Sequence, residues 1–128
     1  MALTLNGDTG ITFPGDTISV TPIGVGQTWQ NVISSRAQTT EYQNTTTKPI
    51  MVSISFVCPF TSRGQLQVST TSGSGFVVVA DSDGGDYYSA SAYTDHYATI
   101  VTIVPVNHYY KFVAPGSDVT LKNWVELR

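Results

Sequence analysis

The stretch Ile50-Met51-Val52-Ser53-Ile54-Ser55-Phe56-Val57 alternates bulky apolar residues with other, mostly smaller or polar ones. Successive side chains of a β-strand point to opposite faces of the sheet, so every second residue shares a face. On one face, all the residues are β-branched or aromatic, which suits a packed interior. The stretch therefore predicts a strand whose Ile50, Val52, Ile54 and Phe56 side chains belong to the hydrophobic core.

Shorter segments of the same kind occupy most of the remaining chain, and turn residues separate them. Val and Ile total 23 residues, whereas Leu and Met total 7. Because β-branched side chains fit a pleated sheet and lose rotamer freedom in helices, this composition favours strands. The segments predicted as strands or hairpins are residues 3–13, 17–20, 29–33, 39–43, 65–69, 76–80, 97–104, 109–114 and 119–127. Many short strands at close spacing predict an all-β antiparallel β-sandwich or jelly-roll-like domain.

One predicted strand, residues 97–104, is apolar at nearly every position after Thr99. Such a strand is expected either to be buried on both faces or to be covered by a neighbouring chain. A closed arrangement of several copies would bury such a strand.

The chain carries few charges. Charged residues make up 12% of the 128 residues, and the net charge is −3. The six Lys and Arg residues are scattered and do not form the patch that phosphate binding requires, so we expect no nucleic-acid partner. The low charge also indicates that other subunits cover part of the surface. The length, without a Pro-rich or charge-rich linker, predicts a single core.

Targeting and redox signals are weak. Residues 1–10 hold no basic start and no apolar run long enough for a signal peptide or a membrane span. We therefore expect a soluble chain, made in a cytoplasm, with no membrane insertion. Cys58 is the only cysteine, which excludes an intrachain disulfide and predicts a buried packing thiol. Asn44-Thr45-Thr46 matches a glycosylation sequon, but without a secretory signal the match does not predict glycosylation.

The motifs do not assemble a catalytic centre. The G-x-S-x-G pattern of serine hydrolases does not occur in the sequence. A cysteine mechanism would require Cys58 near His96 or His108, and the strand context of Cys58 favours packing. Residues 81–86 resemble the start of a calcium loop, but the last ligand would fall on Ala92 instead of a glutamate. We expect no enzyme activity, no cofactor and no metal.

A segment from residue 81 to residue 97 holds four of the nine acidic residues and four of the seven tyrosines. Tyrosine offers a flat apolar face with a hydroxyl at its rim, and aspartate offers fixed acceptors, a combination that grips sugar rings or protein surfaces. A tyrosine-rich pair of strands packed inside is the alternative, although small residues at 89–92 favour a loop in part. The candidate receptor-binding residues are Asp81, Asp83, Asp86, Tyr87, Tyr88, Tyr93, Asp95 and His96. The tip over residues 70–75 is expected to assist them.

Short motifs follow one another in a characteristic order at both ends of the chain. Residues 3–14 are LTLNGDTGITFP, and the later motifs are residues 23–32, Ser35-Arg36, Tyr42, residues 44–46, residues 48–50 and residues 124–128. The first resembles the lead-in that precedes the tip of tailed-bacteriophage and prophage tail fibres. The others resemble the C-terminal, receptor-binding tip domain itself. The resemblance covers about residues 2–57 and 105–128, and the middle of the chain departs from it.

This resemblance implies a homotrimeric β-structured fibre tip, located on the virion, that binds a host bacterial surface receptor. It implies a fibre-shaft junction over residues 1–20 and a sandwich tip domain over residues 21–128. The receptor would be a glycan or an outer-membrane protein. The family's framework residues fall on Trp29, Arg36, Pro49 and Trp124, and we expect both tryptophans to be buried core anchors.

Other functions are compatible with the residues. A trimeric head-fibre or capsid decoration protein without its own receptor is the first alternative. A polysaccharide depolymerase is the second, although the paired carboxylates that glycan hydrolysis normally needs cannot be assigned from the sequence.

Overall fold

The computed structural model describes residues 4–6, 10–12, 22–58, 62–83, 96–115 and 119–128. Their strands are β1 (Thr4–Asn6), β2 (Gly10–Thr12), β3 (Trp29–Asn31), β4 (Tyr42–Gln43), β5 (Ile50–Cys58), β6 (Arg63–Ser69), β7 (Val77–Asp83), β8 (His96–Val104), β9 (Tyr109–Val113) and β10 (Thr120–Leu127). A short 3-10 helix, Ile33–Ser35, forms the corner between β3 and β4. In this part of the chain no helix is long and apolar enough to cross a membrane. The predicted strand over residues 17–20 lies outside the described residues.

Eight of the strands form two antiparallel four-stranded sheets. Sheet I has the order β3-β10-β5-β8, and sheet II has the order β4-β9-β6-β7. The predicted all-β antiparallel sandwich is confirmed. Strands β1 and β2 form the predicted hairpin, with Leu5 opposite Ile11.

The core lies between the two sheets, and β5 is its central strand. Ile50, Val52, Ile54 and Phe56 are completely buried, as their alternation predicts. Burial of each such side chain stabilises the fold by about 1.5–3 kcal/mol. Sheet II supplies Leu66, Tyr110 and Phe112, and sheet I adds Ile100, Val104 and Trp124.

A β-bulge in β10 sets which of its residues enter the core. Leu121 pairs with Phe56, and Asn123 pairs with the next residue of β5, so Lys122 is an extra residue in the ladder. Leu121 and Trp124 are three positions apart and would face opposite ways in a regular strand. The bulge directs both side chains inward, against the core.

Gly64 in β6 lies where two aromatic rings meet. The ring centroids of Phe56 and Phe112 are 5.1 Å apart. A Cβ atom added at Gly64 would overlap the Phe56 ring and would lie 2.7 Å from Cε2 of Phe112. Real Cβ contacts are not this short, so the close packing of the two rings requires a glycine at this position.

We expect Gly64→Ala to lower the free energy of unfolding by about 1–3 kcal/mol, because the rings must shift to admit the methyl group. Urea denaturation followed by tryptophan fluorescence measures this change. Gln65→Ala, at the neighbouring outward position, is the control and should change the same quantity by no more than about 0.5 kcal/mol. Equal stabilities of the two variants would show that the ring pair does not need the glycine.

The two tryptophans differ in burial. Trp124 is 0% exposed, as predicted, whereas Trp29 is 54% exposed, so the prediction of a second buried anchor is wrong. Trp29 belongs to the edge strand β3 and pairs with Leu127, whose side chain points away from the core. An outward position on an edge strand has no opposing sheet to cover it.

Strand β8 is not buried on both faces within the chain. Ile100 and Val104 enter the core, whereas Val101 and Ile103 are each 50% exposed. The interpretation of a strand enclosed by its own domain is therefore wrong. Coverage by a neighbouring chain stays a prediction.

Candidate recognition site

Three connections begin and end at one end of the sandwich, which we call the loop end. They are residues 59–61, 84–95 and 116–118. Antiparallel pairing brings the terminal residues of their flanking strands together, with Cys58 opposite His96, Arg63 opposite Asp83, and Val57 opposite Thr120. The longest connection, residues 84–95, joins edge strand β7 of sheet II to edge strand β8 of sheet I.

The predicted site residues that the structure describes flank this longest connection. Asp83 is the last residue of β7, and His96 is the half-buried first residue of β8. The exposed carboxylate of Asp81 accepts a hydrogen bond from Nε2 of Gln65 at 3.2 Å and lies 3.7 Å from the Arg63 guanidinium. The remaining candidates, Asp86, Tyr87, Tyr88, Tyr93 and Asp95, lie outside the described residues.

Tyr97 is a further aromatic side chain near the loop end. It follows His96 in β8 and is 80% exposed. The sequence places it in the tyrosine-rich segment, although it is not among the candidate receptor-binding residues. Its exposure makes it available to a ligand that contacts the loop end.

The tip over residues 70–75 lies at the opposite end of the sandwich. It follows Ser69, the last residue of β6, whereas Asp83 lies opposite Arg63, the first residue of that strand. Six strand residues separate the two ends by about 20 Å. The strand end that precedes residues 84–95 therefore lies about 20 Å from this tip, so the described residues do not support the expectation that the tip assists residues 81–97.

Glu41 holds the tip against the start of β4. Its Oε1 accepts a hydrogen bond from Oγ of Ser72 at 2.6 Å, and its Oε2 accepts one from the Gly73 amide at 2.9 Å. The Ser72 bond, followed by the Gly73 bond, lowers the pKa of this exposed carboxyl. The two hydrogen bonds to the Glu41 carboxylate are consequently present at neutral pH, and they weaken as the pH falls through the lowered pKa of Glu41.

A buried carboxylate, Glu126, organises the interior near β10. Its Oε1 lies 2.9 Å from Nε of Arg36, and its Oε2 lies 3.0 Å from Nη2 of the same guanidinium, so the pair is bidentate. Arg128 contributes a second cation, with Nη1 at 3.2 Å from Oε2. Tyr110 and Trp124 donate to Oε1 at 2.7 and 3.1 Å. The Glu126 side chain is completely buried.

Two donors of this cluster, Tyr110 and Arg36, have raised pKa values that keep them protonated. Burial raises the pKa of Tyr110, and its hydrogen bond to Glu126 raises the pKa further, so the hydroxyl stays a donor. Burial alone would lower the pKa of Arg36, but the hydrogen bond to Glu126 and the neighbouring charges outweigh it, and the pKa is raised. The protein's own donors surround the carboxylate, so the cluster is structural.

Sequence reasoning did not identify Glu126. The available signal was the alternation in β10, which places an acidic residue two positions after Trp124 on the inward face. Its main partner, Arg36, is 90 positions away in the sequence.

Asn44 is another buried polar residue that links distant segments. Its Nδ2 donates to the carbonyl oxygens of Lys48 at 2.9 Å and Val104 at 3.0 Å. Its Oδ1 accepts from the amide and the hydroxyl of Thr46. Because the amide nitrogen is enclosed and engaged in hydrogen bonds, the sequon at this position is a structural turn in the folded protein.

The register of sheet I brings Cys58 directly opposite His96. The thiol is completely buried, and its Sγ lies 3.3 Å from the carbonyl oxygen of Ser62. Burial of Cys58 agrees with the predicted packing role, and a buried thiol does not reach a substrate from solvent. Among the residues that the structure describes, no three His, Cys, Asp or Glu side chains gather as a metal site requires.

No family model, curated protein or solved structure matches this chain. The resemblance to tail-fibre tips therefore rests on the short motifs alone. Two of these motifs come from opposite ends of the chain and pair in sheet I, since Trp29 lies opposite Leu127. The amides of Thr28 and Arg128 extend the same ladder by exchanging hydrogen bonds of 2.9 and 3.1 Å.

Proposed function

We propose that this chain is the recognition tip of a fibre on a bacteriophage or prophage particle, and that it works as a homotrimer. In this proposal the loop end binds a receptor on the bacterial surface. The observation that carries the proposal is that the strand ends flanking residues 59–61, 84–95 and 116–118 lie together at one end of a packed sandwich. Binding residues concentrate on loops that a scaffold of strands positions.

The residues of the longest connection favour an uncharged ligand. Residues 84–95 contain three tyrosines and two aspartates, and no Lys or Arg occurs from Gln65 to Tyr110. Tyrosine faces cover the CH surfaces of sugars, and aspartates accept hydrogen bonds from sugar hydroxyls. Without cations, a grip on phosphate through charge alone is disfavoured. A neutral glycan or an outer-membrane protein is the receptor class that this composition supports.

A structural role is the second candidate function. The outer face of sheet I carries exposed apolar side chains, among them Val101 and Ile103, as a subunit contact would. A fibre cap or capsid decoration protein needs such contacts and no receptor. Binding to intact bacterial cells separates the two functions, and release of reducing sugar from surface polysaccharide would identify a depolymerase.

We expect the double substitution Tyr88→Ala and Tyr93→Ala to weaken binding to susceptible cells at least about 30-fold, since buried aromatic contacts each contribute roughly 1–2 kcal/mol or more. The melting temperature should stay nearly unchanged. Pull-down of labelled protein on a panel of bacterial strains measures binding, and a thermal melt measures stability. His96→Ala is tested separately, because His96 is half-buried and its loss affects packing as well.

The matched control is the double substitution Thr71→Ala and Ser72→Ala in the exposed tip at the opposite end of the sandwich. It should leave cell binding intact. Undiminished binding by the tyrosine variant would refute the loop end as the receptor site. A large drop in its melting temperature would instead support the alternative of packed tyrosines.

A further inference from the structure

Among the described positions, the outer face of sheet I carries no acidic side chain, and its one charged side chain is that of Lys122, the exposed extra residue at the bulge of β10. Antiparallel register aligns side chains of four strands in rows on this side. The rows are Trp29, Leu127, Met51 and Ile103; then Asn31, Val125, Ser53 and Val101; then Asn123, Ser55 and Thr99. We call these residues the uncharged face.

The corresponding face of sheet II combines charged and polar side chains with two valines, Val78 and Val113. Its outward positions include Arg63, Gln65, Gln67, Asp81 and Lys111, aligned across three strands. This is the composition of a sheet face in contact with water. The two outer faces of the sandwich therefore differ in charge, because sheet II carries several charged side chains of both signs and sheet I carries Lys122 alone among its described positions.

One border of the uncharged face is the edge strand β8, which lacks the features that usually prevent an edge strand from pairing with another chain. β8 pairs with β5 on one side and, among the described residues, has no strand partner on the other. From Tyr97 to Val104 it has no charged residue, proline or bulge, the features that normally blunt an exposed edge. Val77 and Val79 of the neighbouring edge strand β7 are also exposed.

The size of this surface suits a modest but specific contact. Four strands about 4.8 Å apart and three rows about 6.8 Å apart span on the order of 400 Å². That area equals a large functional patch on a monomer and about half of what each partner buries in a stable interface. The exposed valines of β7 enlarge the surface toward the area that an interface needs.

We propose that the uncharged face is covered by a second copy of this chain, with β8 at the centre of the contact. The net charge is −3, so identical copies repel wherever acidic groups meet, and this face contains none. One cation, Lys122, lies beside it, and a single cation is not the cluster that an anionic polysaccharide would require. The number of copies, three, rests on the proposed function, and the uncharged face is the surface through which the copies meet.

The test is sedimentation of the wild-type chain and of Val101→Lys across a concentration series. The wild type should sediment as a multiple of 13.8 kDa at about 100 μM and dissociate in the micromolar range. Val101→Lys should raise the dissociation constant at least about 100-fold, because association would bury an unpaired charge. Its melting temperature as a monomer should be unchanged, since residue 101 is half exposed.

Gln67→Lys places the same charge at the centre of the opposite outer face and should leave assembly intact. A wild type that is monomeric at 100 μM would overturn the inference, as would dissociation by Gln67→Lys but not by Val101→Lys. Equal loss of assembly in both variants would also overturn it. If the chain is monomeric but binds cells, the contact between copies is refuted and the proposed receptor binding is not. If the chain assembles but binds no cell, the proposed receptor binding is refuted and the contact between copies is not.

Discussion

Glu126→Ala is expected to lower the free energy of unfolding by about 3–5 kcal/mol, because removal of one partner of a buried ion pair leaves the other charge uncompensated. The Arg36 guanidinium would lose both of its bonds to the carboxylate, and Arg128 would lose its counter-charge. Tyr110 and Trp124 would lose a shared acceptor. Chemical denaturation monitored by circular dichroism gives the change directly.

Two comparison variants sharpen this result. Glu126→Gln keeps the volume and one acceptor oxygen, so its loss of stability should be smaller than that of the alanine variant. Asp81→Ala removes the exposed ion pair with Arg63 and should cost less than about 1 kcal/mol. A loss below 1 kcal/mol for Glu126→Ala would show that the buried cluster does not stabilise the sandwich.

Trp124→Ala is expected to cost about 3–5 kcal/mol through the cavity that it leaves in the core. Its indole is completely buried, and its ring packs edge-on against Phe112 at a centroid distance of 6.4 Å and against Tyr42 at 5.9 Å. Its Nε1 also donates to Glu126. The melting temperature and the urea midpoint should both fall sharply.

Trp29→Ala is the matched control, since it truncates the same side chain at a site that is 54% exposed. In the Val101→Lys background, where self-association does not contribute, it should change stability by less than about 1 kcal/mol. If the two tryptophan variants were equally unstable, the difference in burial between Trp29 and Trp124 would not explain their roles.

The candidate site could be predicted from the sequence only in its composition. The clustering of tyrosine and aspartate in residues 81–97 is visible without a structure, because residue type is local information. That Asp83, at the start of this segment, lies about 20 Å from the tip over residues 70–75 depends on how β6 and β7 pair. From sequence order alone, residues 70–75 and residues 81–97 are expected to act together because they are close in the chain.

The fold class follows from the sequence by itself. The alternation in residues 50–57 and the excess of Val and Ile over Leu and Met determine that the chain forms strands and that Ile50, Val52, Ile54 and Phe56 face inward. These features act within a few residues, since side-chain direction along a strand and β-branched rotamer preference are local properties.

Only the tertiary structure decided which outward or polar residues are covered. Trp29 is exposed because β3 is an edge strand, and Trp124 is buried because β10 lies between two neighbours and contains a bulge. Glu126 is tolerated in the core because Arg36, 90 positions away, meets it there. Each of these outcomes depends on pairing between distant segments, so the physical reason lies in long-range register and not in local pattern.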